Sequence, residues 1–240
     1  PQCMVHLEAC GLLDAVQTGD FQFKNGAAFT WRDRYAAIDF RDKFSPGPGT
    51  TWQVERADFD QRLIDGARQA GASVEFETQV EAFVADHDRP SLTLVDANGE
   101  QRSLQARFVL DASGYGRVLA RLTGLARPST LESRCALFTH IEDRIDCSHY
   151  DRDKILIGLH PEHSGIWYWL IPFSQGRASV GVVGDRATLE AAGVDDKERL
   201  WHFLHAEPRL NKLLVNAKAI RDIGRLEGYS ADVEQLHGPG

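Results

Sequence analysis

The sequence predicts a mixed α/β fold, α+β-like in character, with a mostly antiparallel sheet in its second half. Two stretches, 4–16 and 56–70, carry apolar residues at helical spacing. Beyond residue 130 the pattern turns to short alternating apolar runs separated by turn residues. Hydrophobic residues make up 42% and charged residues 26% of 240 positions, ample for a core and ordinary for a globular chain.

Taken in order, Met4, Leu7, Ala9, Leu12, Leu13 and Val16 can share one helical face, which Gly19-Asp20 ends. Residues 21–24 alternate as a strand. Asn25-Gly26 predicts a hairpin turn, because both residue types tolerate positive φ, with 27–31 returning and 35–40 as a third strand. Ser45-Pro46-Gly47-Pro48-Gly49 is a loop. A second helix opens at Arg56 with Asp58 placed to cap it, buries Phe59, Leu63 and Ala67, and closes at Gly71. Strands are expected at 72–76, 80–86, 91–96 and 101–106, and Phe108-Val109-Leu110 runs as a short strand into Asp111-Ala112-Ser113-Gly114. The later sheet takes 136–141, 155–159, 166–172 and 178–184. Helices follow at 197–204 and 209–217, broken at Pro208.

The formal charge of −8 disfavours nucleic acid, since a negative protein repels phosphate backbones. No run approaches the roughly 18 apolar residues of a membrane helix, and no cationic-then-apolar leader opens the chain. Cys3, Cys10, Cys135 and Cys147 lie far apart with no C-x-x-C pair, which reads as reduced thiols in a cytoplasmic protein. His160 with His163, and His202 with His205, lack acidic or thiol companions at ligand spacing, so no metal site is expected. The acidic loop of Asp143, Asp146, Asp151 and Asp153 lacks the glycine and terminal glutamate of a calcium loop and reads as a solvated turn.

Four strings carry more specific signals. In Trp167-Tyr168-Trp169-Leu170-Ile171-Pro172, alternation on a strand points Trp167, Trp169 and Ile171 one way, as sheet core or as a rigid apolar wall. In Thr51 to Ala72, Arg56 stands at a helix start, where a lone arginine reads as a surface cation. In Val109-Leu110-Asp111-Ala112-Ser113-Gly114, Gly114 follows an apolar strand and permits close backbone approach. Lys24 lies in Phe23-Lys24-Asn25-Gly26-Ala27-Ala28-Phe29-Thr30-Trp31, where on its residues alone it reads as a solvated lysine beside a turn.

Together these strings resemble the flavin-dependent halogenases within the wider group of FAD-using monooxygenases and geranylgeranyl reductases. Trp167, Trp169, Ile171 and Pro172 match the fixed positions of W-x-W-x-I-P, a wall that keeps organic substrate away from the flavin. Arg56 matches the arginine of V-x-R-x-x-F/L-D near the cofactor, and Asp111 and Gly114 match the strand-end D-A-S/D-G. Lys24 matches the catalytic lysine of K-x-G-x-x-F-x-W, although that motif continues with Gly where Arg32 stands here. The resemblance implies halogenation of an electron-rich aromatic ring, free or carrier-bound. FADH2 from a separate flavin reductase, O2 and halide would yield hypohalous acid, which the lysine polarises or takes up as a haloamine. A neutral amine is favoured where burial lowers the lysine's pKa.

The family's N-terminal G-x-G-x-x-G and its later G-D motif do not occur, so the resemblance covers the family's central part. The expectation is a partial FAD-dependent monooxygenase/halogenase-type fold, inactive alone. Residues 50–125 would belong to the FAD-binding domain, 21–50 and 126–190 would form the substrate-side sheet, and 191–240 a helical segment leading back. A monooxygenase or reductase of the same superfamily is the alternative, and a non-catalytic module that holds an aromatic ligand is a further one.

Overall fold

A computed structural model describes residues 1–146, 148 and 150–238; Cys147 and the final Pro239-Gly240 lie outside the described residues. Contacts divide the chain into two units, Pro1–Ala72 with Arg134–Glu227, and Ser73–Ser133 with the segment from Gly228 onward. Helices and sheets are mixed, as expected.

The larger unit is built on an eight-stranded sheet. Cys135–Glu142 pairs on one side with the short strands Lys218–Ala219 and Gly224–Glu227. Beyond its other side come Arg177–Gly184, Trp167–Pro172, Lys154–Leu159, Gly26–Trp31 and Arg34–Asp39, in that order. Every pairing is antiparallel except that of Lys154–Leu159 with Gly26–Trp31, which is parallel. A parallel pair needs a long connection, here the whole stretch from Trp31 to Lys154.

Alternation gives this sheet two unlike faces. On the closed face, Leu137, Ile141, Leu156, Tyr168, Leu170, Val180 and Val182 form one buried cluster with Leu200, Phe203 and Leu204 of helix Asp196–Ala206 and Leu210 and Leu213 of helix Pro208–Leu213. The two helices break where the sequence places Pro208, at the first turn of the second, where a missing N–H costs nothing. Glu207 caps that helix by accepting from Leu210 N at 2.6 Å. A second cluster of Met4, Leu7 and Val16 packs with Phe59 and Leu63 of helix Arg56–Gln69.

The smaller unit holds an antiparallel meander of Gln79–Val84, Ser91–Val95 and Gln101–Gln105. A single 3-10 turn, Gly114–Gly116, leads into the short helix Val118–Leu122, and Ala126–Arg127 pairs with Asp232–Val233.

Five local expectations are corrected. Asn25-Gly26 is not a hairpin turn: Gln22–Lys24 pairs with Thr51–Gln53, while Gly26–Trp31 continues straight into the large sheet. Gly26 is needed for close approach instead, because a Cβ there would overlap the Ile38 carbonyl oxygen. The hairpin lies at Arg32-Asp33, with Arg32 at φ +58°. The first helix is two, Gln2–Ala9 and Leu13–Gln17, divided at Gly11 with φ +68°. Asp58 does not cap its helix but pairs with Arg62 one turn on. Residues 72–76 and 108–110 form no strand, because no neighbouring strand offers them a ladder among the described residues. Asp143 is not a solvated loop residue; it is buried in an ion pair with Arg152 at 2.6 Å. No helix of the described residues is long and apolar enough to cross a membrane.

Candidate functional site

The open face of the large sheet is set by the same alternation that builds its core. Across the strands its residues stand in three rows. The first is Arg34, Trp31, Leu159, Trp167, Val183 and Ala136; the second is Ala36, Phe29, Ile157, Trp169, Gly181 and Phe138. The third begins at Ile38 and Ala27, passes Ile155 and Ile171, and ends on Ser179 and His140. Phe29 and Trp31 keep 40% of their surface exposed and Trp167 keeps 36%, so this is an apolar surface open to a ligand.

The two indoles of the Trp-x-Trp string lie side by side, with ring centroids 5.9 Å apart and planes at 46°. Trp169 donates its Nε1–H to Ser179 Oγ at 3.0 Å and lies 6.1 Å from the Phe138 ring. Ile171 faces the same way and is half-buried, and Pro172 ends the strand buried. Tyr168, between the two indoles, points into the closed face toward Glu207, and burial raises its hydroxyl pKa.

Lys24 lies at the end of Gln22–Lys24, just before the strand that carries Ala27, Phe29 and Trp31. Its ammonium is 5.8 Å from the ring centroid of Phe40. Phe40 follows Ile38 at two-residue spacing and continues the pairing by donating its N–H to Asn25 O, so the lysine reaches the Ala27 end of the open face. Burial lowers the Lys24 pKa from its ordinary 10.5, and no carboxylate pairs with it among the described residues. Asn25 beside it is buried and accepts from Lys154 Nζ at 2.9 Å, which holds this junction fixed.

Arg32, where the related motif has glycine, sits in the left-handed region at the hairpin tip, donates to Pro161 O at 3.1 Å and stacks 4.8 Å from the Trp31 ring. The glycine position is therefore a turn requirement, and the arginine there leaves the strands on either side paired in register.

The remaining predicted residues stand on other elements. Arg56 is exposed at the start of its helix and paired to Asp60 through two 2.9 Å bonds. Its neighbour Glu55, missed in the sequence, ties the helix start to the sheet through Arg177 at 2.7 Å. Asp111 and Gly114 lie in the smaller unit, on a cleft of about 510 Å³ that Phe108, Leu110 and Arg117 also line. The Asp111 carboxylate accepts from Ser113 N at 2.9 Å and Leu119 N at 2.8 Å, and hydrogen bonding from Ser113 lowers its pKa. Asp111 thus braces the turn. Gly114, at φ +57°, is exposed with open space where a side chain would stand.

The residues from Pro1 to Pro208 match the family model of an FAD binding domain. The chain belongs to that family. Among curated relatives, a 1H-pyrrole-2-carbonyl-[peptidyl-carrier protein] chlorinase of Pseudomonas fluorescens is 26% identical over 95% of this chain and 56% of its own length. A tryptophan 2-halogenase of Chondromyces crocatus is 25% identical over 98% of this chain and 45% of its own. Among solved structures, a flavoprotein/dehydrogenase from Cytophaga hutchinsonii superposes with TM-score 0.93 at 38% identity, covering all of this chain and 58% of that one. CmlS, a flavin-dependent halogenase, superposes with TM-score 0.84 at 24% identity, covering 98% and 43%. The chain is thus a halogenase-like member of the FAD binding domain family. It spans about half the length of the curated relatives it matches.

FAD requires a path for an anionic, extended molecule and a flat apolar surface for its ring. Within the smaller unit the Gly114 turn leaves main chain exposed, and within the larger unit the Trp169–Phe138 face is flat and apolar, each taken by itself, whereas Arg56 has its guanidinium committed to Asp60.

Proposed function

We propose that the parent protein halogenates an electron-rich aromatic ring, taking FADH2 from a separate flavin reductase and using O2 and halide as co-substrates. The observation that carries this reading is a half-buried lysine with a lowered pKa at the edge of an open aromatic face bearing paired indoles. When bound, the reduced flavin supplies the electrons that let O2 oxidise halide, so that ring C–H becomes C–X and the oxygen leaves as water.

Lys24 holds the oxidised halogen. As ammonium it donates a hydrogen bond to the neutral oxidant, and as amine, the form burial favours, it takes up the halogen directly. Trp167, Trp169, Ile171 and Pro172 form the wall that separates organic substrate from flavin. Gly114 offers main chain to the cofactor, with Asp111 fixing the turn, and Arg56 would have to exchange Asp60 for an anionic group of FAD. The ring carbon held nearest Lys24 is the one substituted, so position sets regiochemistry. The substrate is a ring carried on a carrier protein, as the names of the pyrrole-2-carbonyl chlorinase and the related brominase of Pseudoalteromonas luteoviolacea describe for those enzymes.

The test feeds the full-length protein reduced FAD, O2, bromide and pyrrole, indole and phenol rings, each free and carrier-bound. Mass spectrometry reads the bromine isotope doublet. Brominated carrier-bound product that disappears in Lys24→Ala supports the reading, and bromination of free rings alone removes the carrier. A reductase or oxygenase reading is favoured by the 38% identity to a flavoprotein/dehydrogenase, and by a digeranylgeranylglycerophospholipid reductase of Methanopyrus kandleri that is 31% identical over 59% of this chain. Reduced or hydroxylated product without bromine would establish that alternative.

A further inference from the structure

Trp167 and Trp169 face the same way from one strand, but only Trp169 meets a glycine across the sheet. Its register partner is Gly181, whereas that of Trp167 is Val183. A Cβ built on Gly181 would overlap Cζ2 and Cη2 of Trp169 and stand 2.7 Å from Cε2, far inside contact distance. Gly181 lies in regular strand pairing and outside the left-handed region, so the backbone does not ask for glycine; the indole does.

The pattern repeats one strand further. Phe138 stands opposite Gly181 on one side and Gly224 on the other, and a Cβ on Gly224 would come 2.7 Å from Phe138 Cζ. Along the middle row the sheet therefore reads ring, glycine, ring, glycine, each ring lying over the gap its neighbour leaves. Ser179, the next same-face residue beside Gly181, accepts the indole N–H and fixes which way the ring turns. Trp167, whose neighbour has a side chain, has no such seat and is the more exposed of the two indoles.

We infer that Gly181 and Ser179 are positioning residues for Trp169, holding its indole down across the neighbouring strand. The floor under the middle row then stays low enough for a planar ring to stack on it. The link from this posture to chemistry rests on the function proposed above.

The test is a fluorine NMR spectrum of the full-length protein grown with 5-fluorotryptophan, with the Trp169 signal assigned by Trp169→Phe. Gly181→Ala should displace that signal and leave those of Trp31, Trp52 and Trp201 in place. Ser179→Ala should displace it less, and Ser179→Thr, which keeps the hydroxyl, should restore it. Gly158→Ala serves as the control: its Cβ would crowd Tyr168, Glu207 and Thr30 at 3.2–3.3 Å on the closed face without touching Trp169. A Trp169 signal unmoved in both Gly181→Ala and Ser179→Ala, or moved equally by Gly158→Ala, overturns the inference. In the same variants, halogenated product per O2 consumed should fall several-fold in Gly181→Ala and not in Gly158→Ala. A displaced signal with an unchanged ratio overturns the catalytic link. If the wild type halogenates nothing, the proposed function fails, and the fluorine shifts still decide the positioning.

Discussion

The two faces of the large sheet are made from the same strands by neighbouring residues, yet they differ in every physical respect. The closed face is wholly buried under two helices, with Tyr168, Leu170, Val180, Leu200 and Leu204 all but inaccessible. The open face leaves Phe29, Trp31, Leu159 and Trp167 partly in water. One residue's step along a strand thus separates the groups that hold the fold from the groups that can meet a ligand. Substitutions on the first face should unfold the protein, and those on the second should alter what it does.

The largest effect is expected from Leu204→Ala. It removes a fully buried side chain from the closed-face cluster and should cost about 2–5 kcal/mol in urea unfolding. Glu207 sharpens the contrast through pH. It is buried beneath the sheet, accepts from Thr30 Oγ1 at 3.1 Å, and burial raises its pKa above the ordinary 4.5. The folded chain keeps this proton over a range where the unfolded chain has lost it. Stability from this group is therefore fullest below 4.5 and falls as pH rises through the folded pKa. Glu207→Gln still offers an oxygen to Leu210 N and should flatten that fall, so its urea midpoint gains on the wild type as pH rises. An unchanged pH slope would mean the carboxyl is charged in its pocket.

On the open face, Leu159→Ala should cost no more than about 1 kcal/mol, because the leucine already keeps 44% of its surface exposed. A cost equal to that of Leu204→Ala would erase the distinction between the faces. The smallest effect is expected at the hairpin tip. Arg32→Gly relieves a left-handed φ but loses the bond to Pro161 O and the stack on Trp31, and should change stability by about 0.5 kcal/mol or less in either direction. Activity should persist, since Arg32 serves the turn.

The faces themselves were legible in the sequence, because period-two alternation in Trp167–Pro172 fixes which side each residue takes. The parallel partnership of Gly26–Trp31 with Lys154–Leu159 was not, since nothing local encodes a pairing across so long a stretch of chain. Asn25-Gly26 misled for a related reason. Its turn signal is real in isolation, but Lys154 and the passing Ile38 carbonyl use the two residues differently. Asp143 looked solvated because its partner Arg152 stands among the acidic residues of the same loop, where nothing in the string singles out Asp143 as the one it pairs with. Of the candidate site, the aromatic wall and Lys24 were visible as strings. Gly181 left a faint mark, a glycine inside an apolar strand, and only the register shows the indole that requires it.

The parallel pairing also has a consequence in time. Leu159 follows Trp31 by 128 residues, so during synthesis at about 5–20 residues per second the first of these strands waits roughly 6–25 seconds for its neighbour. The meander of the smaller unit, whose strands lie close together in sequence, can close within microseconds of leaving the ribosome. The nascent chain therefore carries an apolar segment, Ala27 to Trp31, paired on one edge with Arg34–Asp39 and open on the other, past an already closed meander. That interval is when a chaperone would have most to hold.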